Sequence, residues 1–232
     1  MKKGFFLMAA AALLVFGSCT KDDDNTKDNT KDNVTITFTS DEIIVDLGSS
    51  NADLAKYAKA SDGSTVTVSG VDFDQPGEQT ATFKAGNASK EKTVKVSAKR
   101  MAGNYRIHVL DSAGTQELTT GNGWRLDITP GAEFNQIDIP TVVGNNQIFA
   151  DIDKLTVTFK DGKATIPNYT GSKFLFVGGE GGHTIKFQNV TYEKNTEGMY
   201  ALKGFTLKLT KQGYNDFYEQ VRFDKLDELD EE

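Results

Sequence analysis

The spacing of apolar and polar residues changes character twice along this chain. Phe5 to Phe16 is an unbroken apolar run of twelve, preceded by Lys2 and Lys3 and followed by the small residues Gly17 and Ser18. A charged start, a short apolar middle and a small-residue end are the layout of a secretory leader; the run is too short for a membrane span. From Thr20 to Asn33 there is no apolar residue, and Thr-Lys-Asp recurs three times. Such a segment cannot offset its conformational entropy by burial, which predicts a disordered tether reaching about 20 Å on flexible-chain scaling. After Asn33 the period becomes two, the signature of strands with one face buried.

In the first stretch, Thr35–Phe38, Ile43–Leu47, Thr65–Val68, Gln79–Phe83 and Lys92–Val96 are predicted strands, with turns at Asp62-Gly63 and Pro76-Gly77 and a short stretch of helix within Ala52–Ala60. A boundary falls near Lys99-Arg100-Met101. Beyond it, Tyr105–Val109, Trp124–Ile128, Leu155–Phe159, Ala164–Ile166, Phe174–Val177, Thr184–Tyr192, Tyr200–Leu209 and Phe217–Phe223 are predicted strands. Asp161-Gly162 marks a hairpin, because both positions favour positive φ. Successive antiparallel strands joined by short turns predict a meander closing on itself, with a second β-sandwich as the alternative. The expected fold class is therefore all-β. Its parts are a leader over 1–18, Cys19 with an acidic tether over 19–33, a sandwich over 34–100, a barrel over 101–226 and an acidic tail over 227–232.

Composition narrows the partners. The formal charge is −7, and loss of Lys2 and Lys3 with the leader would take it to −9. That argues against nucleic acid and against docking on anionic lipid through a basic patch. Cys19 is the sole cysteine, so no disulfide staples the chain. The last four leader-end residues, Phe16-Gly17-Ser18-Cys19, resemble a bacterial lipobox. The resemblance implies lipidation of the Cys19 thiol, palmitate among the acyl chains, and cleavage before it. Two or more chains would hold the protein stably on a membrane. Thr20-Lys21-Asp22-Asp23-Asp24 resembles the export signal of Bacteroidetes lipoproteins. It implies the outer membrane and its cell-surface face, with the periplasmic face as the alternative.

Two further resemblances concern the modules. Ala60-Ser61-Asp62-Gly63, Gln75 to Phe83, Gly86-Asn87-Ala88 and Thr93-Val94-Lys95-Val96 resemble bacterial immunoglobulin-like domains, which implies a spacer or docking sandwich. Family members often carry an aspartate where that last group has no acidic residue. Gly103-Asn104-Tyr105 opening a meander is similar to the calycin-like (lipocalin-like) barrels of Bacteroidetes lipoproteins. Asp111-Ser112-Ala113 matches an O-glycosylation pattern of exported Bacteroidetes proteins, which implies Ser112 as its acceptor.

Candidate chemistry is sparse. His108 and His183 are the only histidines, 75 residues apart, and neither has a partner at metal-ligand spacing. His108, between Ile107 and Val109, is expected on the face of Arg106 as a satisfied polar side chain. Gly178-Gly179-Glu180-Gly181-Gly182 lacks the Lys-Ser/Thr ending and following helix of a phosphate loop, and is expected as a hairpin loop. Asp151-Ile152-Asp153 lacks the glycine and terminal glutamate of a calcium loop. No pair of carboxylates is marked as a glycosidase pair. No catalytic residue, metal ligand or cofactor is therefore assigned. Trp124, more often a core plug than a platform in such barrels, joins Tyr169, Phe174 and Phe176 as candidate ligand-binding residues. The expectation is a non-enzymatic lipoprotein that binds an apolar small molecule or a glycan. The alternatives are a structural or adhesive subunit working through a surface-protein partner and, third, a hydrolase.

Overall fold

The computed structural model describes residues 33–119, 122–143, 146–147, 152–172 and 182–226. The leader, Cys19, the tether up to Asp32, Phe174, Phe176, most of the glycine loop and the acidic tail lie outside the described residues. Residues Asn33–Glu232 form one compact unit. Among the described residues its regular elements are nearly all strands, in antiparallel sheets with a single parallel pair.

The first module contains β1 (Ile36–Phe38), β2 (Ile44–Asp46), α1 (Asn51–Ala55), β3 (Ala58–Ala60), β4 (Thr67–Ser69), β5 (Gly77–Ala85) and β6 (Ala88–Ser97). β1 pairs with β3, and a second sheet runs β2-β6-β5-β4. The helix is only five residues long. It begins at Ser50, whose side chain accepts from the Asp53 N–H while the Asp53 carboxylate accepts from the Ser50 N–H. That reciprocal cap holds the first turn from both sides. Leu54 turns inward from it and is fully buried. Alternation along β5 and β6 directs Ala81, Phe83, Val94 and Val96 into the core, where Phe38 meets Phe83 edge-on at 5.0 Å.

A 3-10 turn at Ala98–Met101 carries the chain from one sheet to the next. The second module then runs through β7 (Gly103–Leu110), β8 (Trp124–Pro130), β9 (Gln136–Pro140), β10 (Val142–Val143), β11 (Asn146–Gln147), β12 (Lys154–Lys160), β13 (Lys163–Thr165), β14 (Tyr169–Ser172), β15 (His183–Lys194), β16 (Tyr200–Thr210) and β17 (Phe217–Lys225). Apart from the small β10–β11 hairpin, its strands form one nine-stranded sheet in the order β13-β12-β9-β8-β7-β17-β16-β15-β14. The first strand, β7, pairs with the last, β17. That pairing curls the meander into a barrel, and among the described strands the wall is left unbonded between the consecutive strands β13 and β14. The β12–β13 turn has Asp161 at φ 51° and Gly162 at φ 71°, the doubly positive turn foreseen from Asp-Gly.

The first module packs on the barrel end that carries the 3-10 turn, and one hydrophobic core runs through both. Several bonds tie them. Ala98 N–H donates to Phe134 O at 2.8 Å, the Arg100 guanidinium to Leu47 O at 2.7 Å, and Lys194 Nζ to Asp74 Oδ1 at 3.0 Å; Tyr200 Oη also donates to Asp74 Oδ1. Tyr105, fully buried, pegs this end: its hydroxyl donates to Met101 O and accepts from Leu202 N–H. Burial holds that phenol far above the ordinary tyrosine range, so it stays protonated.

Candidate functional site

Inward-facing residues at the opposite, distal end of the barrel carry the unusual chemistry. On β17 the alternation Phe217, Glu219, Val221, Phe223 places a glutamate in an apolar register. Directly opposite residues of paired strands share a face. Glu219 stands opposite Leu207, Val221 opposite both Phe205 and Val109, and Phe223 opposite Ile107. All these neighbours are buried aliphatic or aromatic side chains. Glu219 itself is 1 % exposed, and its Oε2 has no hydrogen-bond partner. Loss of hydration pushes its carboxyl up to about 7.

The rim above it carries exposed apolar side chains. Among the described residues the exposed large hydrophobics are Ile44, Leu118, Tyr214 and Phe217, and the last three all belong to the distal end. Phe217 sits two residues above Glu219 on the same face. Lys211 Nζ lies 5.0 Å from the Tyr214 ring centre. His183, at the distal start of β15, shares the inward face of Ile185, and its Nδ1 is buried without a hydrogen-bond partner.

Of the residues singled out from sequence, Trp124 is on the inner face of β8 opposite Ile107, half-buried against the core. Tyr169 ends a file of rings that crosses five neighbouring strands. Tyr105, Phe223, Phe205, Phe187 and Tyr169 follow one another at centroid spacings of 6.2, 5.6, 5.3 and 6.1 Å. All but the tilted Phe205–Phe223 pair are edge-to-face, and such pairs contribute about 0.5–1.5 kcal/mol each beyond area burial. Tyr169 is thus part of the packed wall. Phe174 and Phe176 lie outside the described residues. Ser112 is exposed in the turn after β7, where the Asp111 carboxylate accepts from Thr115 N–H and Gln116 N–H.

His108 occupies the outer face of β7 and is nevertheless 3 % exposed. Its Nδ1 meets Glu117 Oε1 at 2.7 Å and its Nε2 meets Asp224 Oδ2 at 3.3 Å. Arg222 also reaches Asp224, at 3.3 Å. Bonds from Thr119 and His108 hold the Glu117 carboxyl below the ordinary range. With a carboxylate on each ring nitrogen and the Thr119 hydroxyl turned to Glu117, His108 clasps the 111–119 loop to the barrel. Among the described residues no three acidic, histidine or cysteine side chains converge as a metal site.

Glu219 was missed from sequence, although the signal was there: Phe-x-Glu-x-Val-x-Phe puts the acid on the apolar side of a period-two strand. The unpartnered state of its oxygen belongs to the tertiary structure alone. Comparisons of the chain with family models, with curated proteins and with solved structures found no match in any of the three.

Proposed function

We propose that this protein is a non-enzymatic binding lipoprotein, anchored to the outer membrane through Cys19 with its modules on the cell-surface side. In this reading, the distal end of the barrel receives an apolar molecule bearing an amine or hydroxyl group. One observation carries the ligand: a fully buried carboxyl oxygen on the inward face with no partner. A buried polar group left unpaired costs several kcal/mol, and a carboxylate more. A donor group on a ligand would supply the missing bond, with Phe217 and Trp124 offering apolar contact. The exposed Leu118, Tyr214 and Phe217 also favour a second reading, in which this rim docks a surface-protein partner.

Trp124, the sole tryptophan, is a built-in reporter. Its fluorescence in the full chain is titrated with dodecylamine, dodecanol and dodecanoate. Saturable changes with the amine and the alcohol, weakened at least tenfold by Glu219→Leu, are expected. Binding by none of the three, or binding indifferent to Glu219→Leu, refutes the ligand. For the anchor, incorporation of radiolabelled palmitate and its loss in Cys19→Ala are expected; a variant still held in the membrane refutes it.

A further inference from the structure

The barrel wall has a gap, and the gap is lined for a ligand. On its β16 side, β15 pairs as far as Lys194; on its β14 side the pairing stops at Ile185. β13 pairs with β12 alone and runs beside β15 without a ladder between them. The edge of β15 from Gln188 to Lys194 therefore presents backbone donors and acceptors that no neighbouring strand takes among the described residues. A groove of about 700 Å³ opens there, between β13, β15 and the 72–75 turn of the first module.

Both walls are fixed before any ligand arrives. In the turn, Asp72 Oδ1 accepts from Asp74 N–H at 3.0 Å and Asp72 Oδ2 from Gln75 Nε2 at 2.8 Å. Gln79 Nε2 bonds the Asp72 and Gln75 carbonyls, each at 2.8 Å. The turn is tied to the barrel through Asp74, Lys194 and Tyr200. Gly162 permits the close approach of Gln75, whose Oε1 lies 2.8 Å from where a Cβ would stand. Opposite, a bulge in β15 holds Asn189 at φ 53° and projects Val190 toward the same groove. Tyr192 is braced edge-on against Phe159 at 5.2 Å.

The lining selects the ligand class. Asp72, Gln75, Lys163 and Asn189 offer donors and acceptors on both rims, and Val190 and Tyr192 form an apolar strip between them. Sugar rings have that same division, hydroxyls around the edge and C–H groups on the face. The volume is within the usual range for small-ligand sites, and the groove is open to solvent. An extended peptide fits less well. The bulge at Asn189–Val190 breaks the regular edge that strand addition needs, and β13 is only three residues long. We infer that this seam groove is a saccharide-binding site. It is independent of the distal site, because no residue is shared.

Affinity gel electrophoresis of the full chain with dextran, galactomannan, xylan or polygalacturonate in the gel tests it. Retardation by at least one polysaccharide is expected. Asn189→Gly keeps the left-handed backbone and deletes the amide; Lys163→Ala removes a rim cation. Each should weaken retardation at least fivefold with the melting temperature preserved, whereas Glu219→Leu should leave it unchanged. The inference is overturned if no polysaccharide retards the protein, or if both groove variants migrate as the wild type.

Discussion

Replacing Glu219 by glutamine tests the physical argument for the distal site directly. The carboxyl sits among Leu207, Val221 and the Phe217 rim, and burial raises it from 4.5 to about 7. Each pKa unit corresponds to about 1.4 kcal/mol, so its ionisation destabilises the fold by about 3 kcal/mol. Between pH 4.5 and 7 the folded chain keeps a proton that the unfolded chain has released. The Glu219 contribution is therefore full below pH 4.5, falls through that window and is flat above about 7. Asp74 and Glu117 are shifted the other way, so their contributions are lost on acidification, below the window, and are common to both proteins. Glutamine keeps the shape and cannot ionise. Urea denaturation from pH 4.5 to 8 should show the variant gaining about 3 kcal/mol relative to wild type, or about 1.5 M in midpoint at a slope of about 2 kcal/mol/M. Parallel pH profiles for the two proteins would refute the claim that Glu219 is buried without compensation.

Three other substitutions probe the frame. A Cβ on Gly204 would overlap the Val221 carbonyl oxygen of β17, so Gly204→Ala should destabilise by about 2 kcal/mol or more and lower the calorimetric melting temperature by roughly 4–8 °C. Tyr200→Phe deletes the hydroxyl that Asp74 accepts from, which should cost about 1 kcal/mol in denaturant unfolding and raise the Asp74 pKa followed by NMR. Phe223→Ala removes a fully buried ring that touches Tyr105 and Phe205; a loss of about 3–5 kcal/mol is expected, and a loss below 1 kcal/mol would show that the aromatic file does not support the barrel.

How much of this was legible differs by element. The long alternating strands β5, β7, β16 and β17 were placed to within a few residues, and the Asp161-Gly162 hairpin was placed by its turn chemistry. β3 follows α1 after Lys56 and Tyr57, and the Ala-Lys-Ala segment that forms it falls within the helix expected from sequence. Alanine and lysine are poor strand formers, and pairing with Ile36–Phe38 decided it. β9 was not foreseen, although Gln136–Pro140 carries three buried residues; Asp138 hides among them because Lys154 Nζ and Thr156 Oγ1 bond its carboxylate. Trp124 and Tyr169 were singled out for being aromatic, and that identity could not say that one lines the inner face while the other closes a row of rings.

The all-β character, the leader-like start and the hairpin turns follow from the sequence alone, because period, run length and turn residues act over a few neighbours. The closure of β7 on β17, the gap at the β13–β14 seam and the isolation of Glu219 Oε2 belong to the tertiary structure. Each depends on which distant strands become neighbours, and loop-closure and packing energies summed over the whole sheet decide that pairing.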